Sequence, residues 1–539
     1  MEKRLIAAIA LSLLVLLSFQ WIIGKKTEPA PTQQAVQSEQ KHETMTVPTQ
    51  LEPQTKNKTD EYAAPTKENT TDIETNNLIL TFSDIGGSIK KVVLKTTPQN
   101  SKTVIYETLY DEKNPEKRIF AMSDNQHSNL STRQFVLSQG SDYLEYTVKE
   151  PGKIEIQKKY SIDRTQDVVN TTISVKNLSK ETKEYYYQVI GPSSLAISNE
   201  VDARNFLQMD TLVGTEIWKI RATKGKIKQK AGDIAWIGIK NKYYTIACKP
   251  FGCVEEVFVG EQDNNLVSSL KRRTETLYPE KEINDKYLFH SGILNQKQLA
   301  KIGYSLQDLV DYGFFGGISK LLLSILAVFH KVTNNWGLAI ILLTLVMNII
   351  LFPLTMKSLT SMHQMKKVQP HINKLRDLHK DDPQRLNKEM LELYKQYNIN
   401  PIGGCLPMLL QMPVFIALYQ GLIRSVELKG AQFLWIKDLS RPEHVPIPFT
   451  LPLLGNSINI LPIVMIIVMV IQQKVSQFGS PTDMSPEQRN QQRMMTVVMP
   501  VVFGFIFYGM PSGLVLYWLT NTILMVGEQK LIGSRMDKE

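Results

Sequence analysis

From Trp336 to Met356 the chain reads WGLAIILLTLVMNIILFPLTM, with no charged side chain. At a helical rise of ~1.5 Å per residue, such a run covers roughly the 30 Å of a bilayer's hydrocarbon. Backbone amides in hydrocarbon find no water, so a segment that crosses must bond to itself as a helix or belong to a closed barrel. Asn348 falls near the centre of this run, and Pro353 is expected to break its last turn. An amide at mid-depth is costly and marks a functional position.

Similar apolar runs follow at 405–427, 458–474, 494–510 and 512–529. At the N-terminus, Lys3 and Arg4 precede an apolar stretch that continues to Ile23 and ends in Lys25-Lys26. That stretch is longer than a signal-peptide core and lacks a small-residue cleavage site, so 1–24 is expected to be an uncleaved signal anchor. Six spans result. Lys and Arg are dense in 357–404 and sparse in 428–457. By the positive-inside rule, both termini and 357–404 then lie in the cytosol, with 24–335 outside. The formal charge of +10, taken with these spans, points to an anionic membrane surface rather than to nucleic acid.

Residues 25–75 are rich in Pro, Thr, Gln, Lys and Glu and nearly lack large apolar side chains. A segment of this kind cannot offset its chain entropy by burial and is expected to be a disordered linker. From 76 to 300 the pattern becomes short alternating stretches rich in Val, Ile, Thr and Tyr: 77–95, 142–150, 153–162, 168–177, 184–191 and 234–249. These predict an all-β domain, a sandwich. Cys248 and Cys253 lie close enough in CKPFGC to pair if the domain is oxidised; two reduced, buried cysteines are the other reading. Residues 301–539 form the membrane core. Within it, 311–331 has apolar residues along one helical face, with Lys320 and Ser324 opposite. It is expected to be an amphipathic helix lying on the membrane surface, or else a packing helix of the β domain.

Between the second and third spans, 363–400 predicts a charged helical hairpin. Its first helix should end before Asp381-Asp382-Pro383, where Asp382 is positioned as N-cap and Pro383 as first helical residue. His363, His371 and His379 recur every eight residues, a spacing that drifts about 80° around a helix per step, so they do not share a metal.

A proton- or ion-coupled transporter places acidic, basic or His side chains at membrane depth. The five C-terminal runs hold only neutral polar groups there: Thr344, Asn348, Gln411, Gln472, Thr520 and Asn521. Facing one another, these would line a hydrated groove; singly, each is equally consistent with interhelical hydrogen bonding. No nucleophile–base pair, metal cluster or cofactor motif stands out.

The stretch NPIGGCLPMLLQMPVFIALY (400–419), followed by SVEL (425–428), FLWIKDLS (433–440) and MPSGLVLYWLTN (510–521), resembles the YidC family of membrane protein insertases in its long Gram-negative form. FPLT (352–355) fits as well. The resemblance implies a multi-pass α-helical inner-membrane protein with a five-helix insertase core and a large periplasmic β domain of supersandwich type. It implies a non-enzymatic role without cofactor or metal, in which nascent membrane proteins enter a hydrophilic groove open to cytosol and lipid, alone or beside the Sec translocon. Carried over by position, Thr344, Asn348, Gln411, Tyr517 and Trp518 face the substrate, with Gln472 a further candidate. Pro353, Gly403, Gly404, Cys405, Pro407, Pro413, Pro511 and Gly513 are motif positions that shape the spans. The hairpin is the expected contact for the ribosome or targeting factors. Two departures stand out. The family usually has Arg where this chain has Asn348, and Arg424, ~18 Å away in depth, is too distant to replace it. The C-terminal stretch LIGSRMDKE also carries few basic residues for ribosome contact. A secondary transporter and an envelope-assembly protein acting through the β domain are the alternative functions.

Overall fold

The computed structural model describes residues 67–96, 104–127, 129–197, 200–221, 226–262, 265–379, 382–397, 406–451, 455–477, 490 and 492–536. The expected signal anchor and nearly all of the expected linker lie outside them, as do Gly403, Gly404 and Cys405.

Antiparallel sheets build the first half. Nine strands run in the order Glu216–Arg221, Gln208–Val213, Ile234–Lys240, Tyr244–Pro250, Glu282–Ile293, Val168–Asn177, Ile154–Asp163, Tyr143–Glu150 and Val136–Gln139. A five-stranded sheet contains Lys228–Ala231, Val254–Gln262, Asn265–Arg272, Tyr187–Ile190 and Met122–Asp124, and a four-stranded sheet spans Thr70–Glu74 to Ile105–Asp111. Their inward residues, among them Leu80, Phe82, Tyr160, Val189, Ile239 and Phe289, make one apolar cluster. Alternation produces this arrangement: in Ile154–Asp163 every second side chain is buried, as a half-buried strand requires. Lys158 is buried on that strand and donates to the carbonyls of Gly86 (2.6 Å) and Phe120 (2.7 Å). Cys248 and Cys253 are buried and free.

The β structure begins earlier than its composition indicates. Thr70–Glu74, within the stretch expected to be linker, pairs in register with Leu78–Ser83. Here cross-strand hydrogen bonding overrides a polar composition that buries little.

Helices dominate the second half: α1 (Gly316–Thr333), α2 (Trp336–Leu378), α3 (Pro383–Gln396), α4 (Leu406–Arg424), α5 (Ile460–Gln477), α6 (Met499–Tyr508) and α7 (Ser512–Met536). A π-helical turn, Met494–Val498, leads into α6. Among the described residues two helical stretches are long and apolar enough to cross a bilayer by length and composition, Gly316–Thr333 and Trp336–Met362; 460–476 and 494–508 are shorter apolar helices.

Asn334 and Asn335 make the α1–α2 corner. Asn334 closes α1 in the left-handed region (φ 51°), and the Asn335 side chain accepts from the Leu338 amide to cap α2. α1 carries apolar side chains on two sides. Ser319, Leu322 and Leu326 are buried, while Leu321 and Val328 are exposed. Gly421 of α4 permits the close approach, since a Cβ there would lie 2.7 Å from Ser319 Oγ.

Pro353 does not break its helix. α2 continues through Pro353 and Pro370 to Leu378, so the expected span and the first hairpin helix are one element. Both prolines stand at exposed positions, and each removes only one donor and one intrahelical bond. Asp382 accepts from Arg385 N and Pro383 opens α3, as the sequence predicts. Val368 and Ile372 pack with Met365, Met390, Leu393 and Tyr394, while His379 Nε2 lies 2.9 Å from Glu389 Oε2 and ties the two arms. The hydrogen bond from Arg385 holds the Glu389 carboxyl below its ordinary range.

The loop after α4 binds the β domain. Lys429 Nζ lies 2.8 Å from Glu107 Oε2 and donates to Tyr244 Oη, and Tyr243 Oη donates to Ser440 Oγ at 3.0 Å.

Candidate functional site

Helix α7 carries Tyr517, Asn521 and Met525 at intervals of four residues, which places them on one face. Three other helices each bring an amide to that stripe. From α4, Gln411 Nε2 donates to Tyr517 Oη. From α2, Asn348 Nδ2 donates to Asn521 Oδ1 at 2.9 Å and to its own helix at Thr344 O, 2.8 Å. From α5, Gln472 Nε2 lies 3.7 Å from Met525 Sδ, which also receives Asn521 Nδ2 at 3.7 Å. Tyr517 and Asn521 are buried, whereas Asn348, Gln411 and Gln472 are half-buried.

The remaining expected positions fall around this stripe. Thr344 is buried one turn before Asn348 and returns its hydroxyl to Ile340 O at 2.7 Å. Thr520 likewise bonds back to Leu516 O. Trp518 is turned away from the amides, with ring centroids 5.0 Å from Phe415, 5.3 Å from Phe507 and 6.0 Å from Phe503. The structure therefore joins Asn348, Gln411, Gln472 and Tyr517 to one stripe and assigns Trp518 to an aromatic cluster.

Asn521 and Met525 connect the set; Asn521 is one of the neutral polar groups expected at membrane depth, though not one of the positions carried over by resemblance, and Met525 was not expected. Their signal was present: 517, 521 and 525 share helical spacing in a segment already singled out for its motif.

Of the motif positions, Pro413 lies inside α4 and Pro353 inside α2; Pro407 is the second residue of α4. Pro511 is buried, and its carbonyl accepts from Leu514 N and Val515 N at the start of α7. Gly513 N donates to Leu439 O at 2.9 Å, and a Cβ at 513 would meet Leu439 O at 3.1 Å and Ile340 Cδ1 at 3.2 Å. A side chain there would press on the Leu439 carbonyl and the Ile340 side chain. These contacts fix the start of α7, and with it the stripe, against α2 and the 431–441 loop.

The arrangement offers amide donors and acceptors, a phenol and a thioether, with no charged group among the named contacts. Each of these groups can give or accept a hydrogen bond without a change of charge.

Residues 328–539 match the family model described as 60Kd inner membrane protein, and residues 70–325 match that described as YidC periplasmic domain. The chain is 34% identical to the membrane protein insertase YidC of Syntrophobacter fumaroxidans over 436 residues, 75% of each chain. It is 31% identical to that of Geobacter metallireducens over 558 residues, covering 99% of this chain and 98% of the relative. A crystal structure of an active YidC insertase with its first transmembrane domain resolved aligns at 17% identity and a TM-score of 0.36, over 85% of this chain and 91% of that one.

Proposed function

The chain belongs to the YidC family of membrane protein insertases, and from that membership we propose how its own residues serve insertion. It is an inner-membrane insertase whose substrates are nascent membrane proteins, with its β domain in the periplasm. Six spans leave both termini and the α2–α3 hairpin in the cytosol, an orientation supported by the Lys and Arg density of 357–404.

The convergence of amides from α2, α4 and α5 on the Tyr517–Asn521–Met525 stripe carries the reading. An incoming polar segment loses water as it enters the membrane, and each unpaired backbone group then costs several kcal/mol. Asn348, Asn521 and Gln411 lower that cost by exchanging their mutual bonds for bonds to the passing backbone. The exchange needs no energy source, because each bond broken is replaced. Net free energy comes from the substrate's apolar segment, which leaves sideways into lipid at roughly 25 cal/mol per Å² removed from water. Asn348 is neutral, so this groove recognises backbone polarity rather than the acidity of a tail. The hairpin receives substrate from the ribosome or targeting factors, and the chain works alone or beside the Sec translocon.

Depletion of the protein should leave small membrane proteins uninserted; normal insertion after depletion would refute the reading. A second reading treats the amide pairs purely as interhelical glue, favoured by the fact that each already has a partner within the chain. A photoreactive residue at 348 separates the two, since only a groove yields crosslinks to a nascent chain.

A further inference from the structure

The segment FLWIKDLS forms a tight turn whose foundation is buried and whose tip is not. Phe433 N donates to Ile436 O at 3.0 Å, and Ile436 N returns a bond to Phe433 O at 2.8 Å. Ile436 and Leu439 are buried beneath it, while Leu434 is 75% exposed and Trp435 45% exposed. Leu434 also sits in the left-handed region, φ 51°, a conformation costly for a residue with a Cβ. A rigid, strained turn thus holds two large apolar side chains outward.

Its attachments define where it sits. The Phe433 ring lies against Gly337 in the first turn of α2, where a Cβ would come within 2.1 Å of the ring. Trp435 Nε1 donates to Glu443 Oε2 at 3.1 Å, and the same carboxylate caps α5 by accepting from Ile460 N and Leu461 N, both at 2.8 Å. The turn is therefore strapped to the N-terminal ends of two apolar helices. The outward apolar surface of those helices begins immediately beyond, at Leu338 and Ile463, and Leu434 and Trp435 prolong it past the helix ends. An indole with its N–H on a carboxylate and its ring uncovered has the amphipathic character of membrane-interface tryptophans.

We propose that the 433–436 turn is an interfacial anchor whose Leu434 and Trp435 insert at the headgroup–acyl boundary of the outer leaflet, setting the depth of α2 and hence of Asn348. The inference rests on α2 crossing the membrane. A photoreactive benzophenone amino acid is placed separately at 434, at 349 on the exposed face of α2, and at 136, exposed on the β domain. Each full-length variant is reconstituted in phosphatidylethanolamine–phosphatidylglycerol vesicles, irradiated and weighed by mass spectrometry. Phospholipid adducts at 434 and 349, several-fold above 136, are expected. Adducts at 349 with none at 434, or only protein adducts at 434, overturn the anchor and leave the span intact; adducts at neither overturn both.

Discussion

Removing the Asn348 amide tests the exchange mechanism most directly. Asn348→Ala deletes the 2.9 Å bond to Asn521 Oδ1 and leaves Asn521 Nδ2 on Met525. Interhelical hydrogen bonds of this type contribute about 0.6 kcal/mol on average and at most ~1.7 kcal/mol. A double-mutant cycle with Asn521→Ala, read by unfolding in mixed detergent micelles, should therefore give a coupling within that range. Because 1.4 kcal/mol is about tenfold in an equilibrium constant, the average value corresponds to roughly threefold. Insertion of a small model substrate into vesicles should fall by no more than that factor in Asn348→Ala. Asn348→Arg should retain insertion, since a guanidinium supplies donors to Asn521 Oδ1 and is always charged. Collapse of insertion in the Arg variant, or zero coupling in the cycle, would refute this account of the site.

Burial pushes the Lys158 ammonium down to about 7 from 10.5. The unfolded chain then binds more protons between those values, so this group makes stability rise with pH across that window; thermal denaturation of Lys158→Met should show a shallower slope than wild type, with the part due to the buried Lys242 retained. Gly337→Val should displace the Phe433 ring and destabilise by about 1–3 kcal/mol, the usual cost of overpacking, measurable in the same micelle assay. Asp382→Ala removes the α3 cap and should cost ~1 kcal/mol, with faster amide exchange confined to the first turn of α3.

Much of the architecture was legible because each element carries its own period. Alternation marked Ile154–Asp163 and Val168–Asn177, and the Asp382-Pro383 pair marked the start of α3. Thr70–Glu74 was not legible, because a short polar strand is stabilised by its partner strand rather than by its own side chains. The continuity of α2 through Pro353 was missed because the one hydrogen bond a proline removes does not by itself end a helix. At the site, residue types identified Asn348, Gln411 and Gln472, but which partner each selects depends on helix rotation. Trp518 shows this: it neighbours Tyr517 in sequence yet faces Phe415 and Phe507.

The unbroken α2 makes the hairpin the far end of a lever. From Asn348 to Leu378 the axis extends about 45 Å at helical rise, so a tilt of roughly 5° at the amide moves the tip by about 4 Å. On the proposed reading, a chain that parts Asn348 from Asn521 would shift the α2–α3 tip as well, coupling the groove to the surface that the hairpin presents.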